Sequence, residues 1–222
     1  MTEDDAMVPR IKRVKKVKKK IRIPLLNILL VLFCAFLLVV ATFVQLNITH
    51  FIIPHDIFSN KALTKADFLY TFSIIPQIPA VLFIVGLLGK RLGITSIVIY
   101  ILLGLCSVPI FAVGGGIDYF AEFGFGYILA YVPAALVAGS ILEEDFSFKN
   151  ILKATFIGVL TIHIIGIIYM LFVVLIRQEG WAFIKGWVLA QSVLKIAYDL
   201  VLSFGMLCVA KYGNKFIKYL IF

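Results

Sequence analysis

RIKRVKKVKKKIR (residues 10–22) runs into PLLNILLVLFCAFLLVVATFVQL (residues 24–46), and this junction decides the fold. The second segment carries no charge over its whole length. About 20 apolar residues in helical form cross a hydrocarbon core of roughly 30 Å. A helix satisfies every backbone N–H and C=O internally, which lipid demands. Nine of the 21 Lys and Arg residues fall between Arg10 and Arg22, just before this span. That is where the positive-inside rule and the pull of anionic cytoplasmic headgroups place basic residues. The placement argues against the nucleic-acid arm that a net charge of +9 would otherwise suggest. The stretch is also too long for a signal-peptide apolar region of roughly 7–15 residues, and no small-residue cleavage site follows.

The composition of the whole chain has the same meaning. It is 62% hydrophobic and 15% charged, with a mean hydropathy of +1.07. A soluble domain carries about 25% charged residues, so the natural solvent here is lipid. Six stretches reach spanning length: 24–46, 68–88, 93–112, 124–142, 151–176 and 187–210. The arm, the loops at 89–91 and 143–153, and the C-terminal tail together hold sixteen Lys and Arg. The alternate loops hold Lys61, Lys65, Arg177 and Lys185. This bias puts both termini in the cytoplasm, and an even number of spans requires them to share a side. The expectation is an all-α integral membrane protein of six transmembrane helices. It has a basic cytoplasmic arm at 1–23, a membrane domain at 24–210 and a cytoplasmic tail at 211–222.

The outer connections differ from one another. The first, from Asn47 to Asp67, is long for a plain loop, and the third, AVGGGIDYFAEF at 112–123, joins three glycines to an aromatic cluster. Glycines there serve a tight backbone fold or close approach to a ligand; a plain flexible turn is the alternative. Ala130, Ala134 and Ala138 recur every four residues and form a smooth face for a neighbouring helix. Pro76, Pro79 and Pro133 are expected to kink spans two and four.

Two charged residues lie inside the spans, Lys195 and Asp199, both in span six. Their i, i+4 spacing puts them on one helix face, where they are placed to neutralise each other. An intramembrane charge marks a functional site by default; an ion pair locking the helix to its neighbours is the competing reading. Gln191 lies one turn shallower on the same face, with Ser192 beside it. The polar stripe therefore opens outward and suits a small anionic or amide-bearing solute. His163 and Gln77 are isolated polar residues in spans five and two, each read first as hydrogen-bonded structure. There is no GxSxG, no HExxH and no pair of aspartates placed in two spans, so no catalytic residues are assigned. Cys34, Cys106 and Cys208 are widely spaced within apolar segments and speak for neither metal nor redox chemistry.

The stretch 89–142 reads GKRLGITSIVIYILLGLCSVPIFAVGGGIDYFAEFGFGYILAYVPAALVAGSIL. It resembles the core of the BioY family, the biotin-binding S components of energy-coupling factor transporters. The resemblance rests on Gly89 to Gly93, Tyr100, Leu103-Gly104, Pro109-Ile110-Phe111-Ala112, Gly114 to Gly116 and Gly126-Tyr127, in that order and spacing. It covers about a quarter of the chain. It implies a bacterial plasma-membrane protein that captures biotin or a related small vitamin from outside, with no cofactor of its own. ATP would be used by partners, namely a membrane coupling subunit and two cytoplasmic ATPase subunits. The implied substrate contacts are Lys195, Ser192, Gln191, Tyr127, Phe111, Gly114, Gly115, Gly116 and Asp199. Lys195 would meet a carboxylate or carbonyl oxygen, Tyr127 and Phe111 would pack apolar parts, and the glycine loop would close over them.

The chain also departs from the family pattern. Where the family has PGDxxK, this sequence has Ala190-Gln191-Ser192-Val193-Leu194-Lys195, so the lysine is kept and Ser192 takes the place of the acid. Asp199 is the candidate replacement, one turn deeper. Phe123-Gly124-Phe125 stands before Gly126-Tyr127 where the family has PTG, and the small-residue docking motif of span one is not evident. These differences leave two alternatives open: the same fold serving another vitamin or precursor, and a membrane scaffold without a ligand.

Overall fold

The computed structural model describes residues 25–54, 57–58 and 64–221. The basic arm expected at 1–23 lies outside the described residues. The first helix, α1 (Leu25–Phe43), is an uninterrupted apolar run that ends where polar residues begin to alternate. It buries Val31, Cys34, Leu38 and Thr42, while Leu29, Phe33, Phe36 and Val40 are exposed on the other side. A helix with one apolar face buried and another apolar face exposed is solvated by lipid.

The chain is helical as expected, and the next segment adds one small element that the expectation did not include. Residues 46–51 (β1, Leu46–Phe51) and 69–74 (β2, Leu69–Ile74) form a two-stranded antiparallel sheet, pairing Leu46 with Ile74 and Phe51 with Leu69. Their sequences, LNITHF and LYTFSI, alternate and are rich in β-branched and aromatic residues, which favours the pleated form. Cross-strand bonds join Thr49 Oγ1 to Thr71 Oγ1 at 2.8 Å and Ser73 Oγ to Asn47 Oδ1 at 2.6 Å. The expected second span at 68–88 is therefore helical only over α2 (Gln77–Leu88). Pro76 and Pro79 do not kink that helix. Pro76 caps it and Pro79 sits in its first turn, where a missing N–H leaves no bond unmade. His50 ties the sheet to the last helix: its Nε2 lies 2.5 Å from Tyr198 Oη, and Phe72 meets the Tyr198 ring edge-on at 5.3 Å.

Helix α3 (Lys90–Leu105) follows after Gly89, whose φ of 79° makes the one-residue reversal. The expected third span at 93–112 ends early, at Leu105. Ser107 then takes a left-handed conformation (φ 67°), and Pro109 disfavours the helical form at Val108. The chain folds back through Phe111, whose ring lies on the α3 backbone, so that a Cβ at Gly104 would collide with it. A 3-10 turn at Ile117–Ala121 leads to α4 (Phe125–Leu129) and α5 (Tyr131–Glu144). The break at Ala130 follows from Pro133, which supplies no N–H to the Leu129 carbonyl. The expected alanine face is buried: Ala130, Ala134 and Ala138 have no exposed surface.

Helix α6 (Phe148–Arg177) is the longest, capped by Ser147 Oγ accepting from Asn150 N. The last stretch begins as α7 (Trp181–Val188), widens into a π-helical turn at Leu189–Val193, and continues as α8 (Ile196–Ile221). Helix α8 continues without a break past residue 210. Four helical stretches among the described residues are long and apolar enough to cross a membrane. They are Leu25–Phe43, Phe125–Glu144, Phe148–Arg177 and Trp181–Ile217. Helices α2 and α3 are shorter, at 12 and 16 residues. The core centres on α2, which packs closely on α8 because Gly86 faces Leu207 and Ala210.

Candidate functional site

A cavity of about 220 Å³ opens between the start of α2, the loop before α4, α4 itself and the α7–α8 stretch. Its polar wall is made by Gln77, Glu122, Tyr127, Gln191, Lys195 and Asp199. Ile78, Val113, Tyr131 and Trp187 contribute apolar and aromatic surface. This mixture of apolar wall and few convergent polar groups is what a small-solute site requires. A second cavity, of about 410 Å³, lies at the other end of α2 and holds none of the residues expected to bind substrate.

The π-helical turn positions the polar stripe. The Leu194 amide reaches back five residues to the Leu189 carbonyl at 3.1 Å, widening the helix where Gln191 and Lys195 face the cavity. Lys195 Nζ donates to Gln191 Oε1 at 2.7 Å. The direct Lys195–Asp199 pair suggested by their spacing is not the contact formed, although the two attract each other across the site. Asp199 instead pairs with His163, with Nε2 3.2 Å from Oδ2 and both side chains almost fully buried.

Behind the cavity wall this contact extends into a chain. His163 Nδ1 lies 3.0 Å from Ser192 Oγ, and Ser192 Oγ lies 2.8 Å from Tyr127 Oη. The Tyr127 and His163 rings also meet edge to face at 5.9 Å. A second network joins α1, α2, α3 and α5. Gln77 Nε2 donates to Thr42 Oγ1 at 2.7 Å and to Tyr100 Oη at 2.9 Å, and Tyr131 Oη donates to Gln77 Oε1 at 3.0 Å.

At the mouth, Glu122 faces Arg177 at 3.7 Å, and the Arg177 guanidinium lies 4.6 Å from the Phe123 ring centroid. Phe123 in turn packs on Trp187 at 5.5 Å. The Trp187 Nε1–H is buried beside the Tyr127 hydroxyl without an aligned acceptor. Tyr119 closes another side; burial, with a smaller push from Glu122, raises its phenol above the ordinary tyrosine range.

Of the residues expected to bind substrate, Lys195, Gln191, Tyr127 and Asp199 line one cavity. Ser192 is buried in the wall and used by His163 and Tyr127. Phe111 is fully buried among Tyr100, Tyr119 and Phe125. Gly114, Gly115 and Gly116 fold the loop back onto α3. The Gly116 amide donates to the Gly104 carbonyl at 2.7 Å, and a Cβ at Gly115 would collide with the Val108 carbonyl oxygen. Neighbours Ala112 and Val113, not the glycines, reach the cavity. Sequence reasoning missed Tyr131, Tyr119, Trp187 and Glu122. An aromatic in an apolar span carries no periodic signal of the cavity it faces.

A model of the BioY family matches residues 14–219. The probable biotin transporter BioY of Lysinibacillus sphaericus is 35% identical over 125 residues, covering 52% of this chain and 64% of that protein. The putative biotin transporter BioYB of Bacillus subtilis is 37% identical over 75 residues, covering 32% of this chain and 38% of its own length. The biotin transporter BioY of Thermotoga maritima is 31% identical over 88 residues, covering 39% and 52%. The chain thus spans less than two thirds of the length of each of these relatives. The fold is similar to the crystal structure of the S-component for biotin from an ECF-type ABC transporter. The TM-score is 0.61 at 17% identity, over 85% of this chain and 90% of that one. A multi-pass membrane fold, a family model matching nearly the whole chain, and a polar cavity among its helices lead to one conclusion: this chain belongs to the BioY family.

Proposed function

We propose that this chain is the substrate-capture component of a vitamin uptake transporter of the bacterial plasma membrane, with biotin as its vitamin. Membership of the family and the names of its relatives favour biotin. The single observation that carries the site is that Lys195, Asp199, Gln191 and Tyr127 converge on one cavity with aromatic walls. A urea-bearing carboxylic acid offers donors, acceptors and apolar carbons to match such a wall. Lys195 supplies donors for a carboxylate or carbonyl oxygen, and Asp199 accepts from an N–H.

In this reading the chain crosses the membrane six times, with α2 and α3 completing the four longer spans, and both termini are cytoplasmic. The bias of basic residues supports this orientation. The cavity then opens outward, where a nutrient arrives. ATP-driven import requires partners: a membrane coupling subunit and two ATPase subunits. Equilibrium binding of labelled biotin to the purified chain tests the proposal. Saturable, stoichiometric binding supports it; absence of saturable binding refutes biotin capture.

A further inference from the structure

We propose that His163 and Ser192, neither of which lines the cavity, act as positioning residues that turn the Tyr127 hydroxyl into a hydrogen-bond acceptor for the ligand. The inference starts from Asp199. Its carboxylate only accepts, so His163 Nε2, 3.2 Å from Oδ2, carries a proton. The other nitrogen is decided by charge. Glu122, Lys195 and Asp199 line the cavity, and Arg177 stands against Glu122. These two acids and two bases balance. A further cation at His163, almost fully buried, would be uncompensated in a medium that penalises it heavily. The ring is therefore neutral, and Nδ1 accepts.

The rest follows from counting protons. Ser192 Oγ, 3.0 Å from Nδ1, donates its only hydrogen there. Its oxygen then accepts from Tyr127 Oη at 2.8 Å, which uses the only proton of Tyr127. The phenol oxygen can then only accept; the single proton of the buried Trp187 indole N–H beside it cannot fill both of its lone pairs, and Tyr127 lines the cavity. A ligand must bring an N–H or O–H donor to Tyr127; one presenting a carbonyl there leaves two acceptors facing each other. This selects amides and ureas over esters and ketones of equal shape. Among the groups packed on His163, Asp199 and Ser192 come from the α7–α8 stretch and Tyr127 from α4.

The tautomer can be measured without any ligand. The full chain labelled with ¹⁵N-histidine has three histidines, and the His163 signals are those lost in His163→Gln. The expected pattern is a protonated Nε2 and a bare Nδ1 that shifts in Ser192→Ala. An imidazolium, or a protonated Nδ1 with bare Nε2, overturns the proposal. The consequence for ligand rests on the biotin reading above and is measured as biotin affinity. Tyr127→Phe and Ser192→Ala should each weaken binding about tenfold. The double variant should be no weaker than the poorer single one, and Ser192→Thr should recover the parent affinity. Additive losses, or Ser192→Ala binding like the parent, overturn the relay. A parent chain without saturable biotin binding defeats the biotin reading alone, since the histidine spectrum still supports or overturns the relay.

Discussion

Replacing Lys195 by Met keeps most of the stem's bulk and removes the one cation that lines the cavity among the described residues. In the free protein the ammonium has a hydrogen bond to Gln191 and a longer attraction to Asp199. Losing these has opposing effects on folding. A partly buried ammonium no longer needs to be desolvated, while Asp199 keeps the hydrogen bond from His163. The net change in stability is expected to be small. Binding behaves differently, because a hydrogen bond to a charged group contributes about 1.5–3 kcal/mol. Its loss corresponds to roughly 10- to 100-fold weaker affinity. The assay is equilibrium binding of labelled biotin to parent and variant, with the thermal unfolding midpoint recorded in the same detergent. The double variant Lys195→Met/Asp199→Asn removes both charges and should remain weak, which separates loss of contact from the effect of a lone carboxylate. A Met variant that binds within about twofold of the parent refutes the assignment of Lys195 to the ligand.

Gly115→Ala drives a methyl group into the Val108 carbonyl oxygen, which is backbone and has little freedom to move. The unfolding midpoint should fall by the equivalent of about 1–3 kcal/mol; an unchanged midpoint refutes the tight return of this loop. Gln77→Leu leaves the buried Tyr131 hydroxyl without its acceptor and removes the amide's donations to Thr42 and Tyr100, which keep their bond to each other, at a cost of about 1–3 kcal/mol. Equal stability of that variant would show that the network contributes nothing. The topology is checked by thiol labelling after Cys34, Cys106 and Cys208 are replaced. A cysteine at Val113 should react with an impermeant reagent in intact cells, and one at Ser147 only after lysis; the reverse pattern inverts the orientation.

Several elements were legible because lipid imposes simple rules. The apolar runs at 24–46 and 151–176 match α1 and α6 closely, since a helix in hydrocarbon needs only length and lack of charge. The second span misled for a local reason. Residues 69–74 are as apolar as a span, but their alternation and the prolines behind them make a strand that ends where α2 begins. The third misled because hydropathy does not register the left-handed Ser107 or the restriction that Pro109 places on Val108.

The site divides in the same way. Lys195, Asp199 and Gln191 were visible as polar residues in an apolar helix, where each carries a cost that structure or function must offset. The resemblance added Tyr127. Spacing along one helix suggested that Lys195 and Asp199 pair. The structure instead gives Asp199 to His163 on α6 and Lys195 to Gln191.

Residue type and run length alone make this a chain that lipid solvates, and they mark where its long apolar segments and its costly polar residues lie, because transfer energies depend on little else. Which side chains touch is a property of packing. His163, Ser192 and Tyr127 lie on three different helical segments, and only their packing brings an acid, an imidazole and two hydroxyls into line. Hydrogen bonds act over about 3 Å, a distance that no spacing along the chain specifies between separate helices.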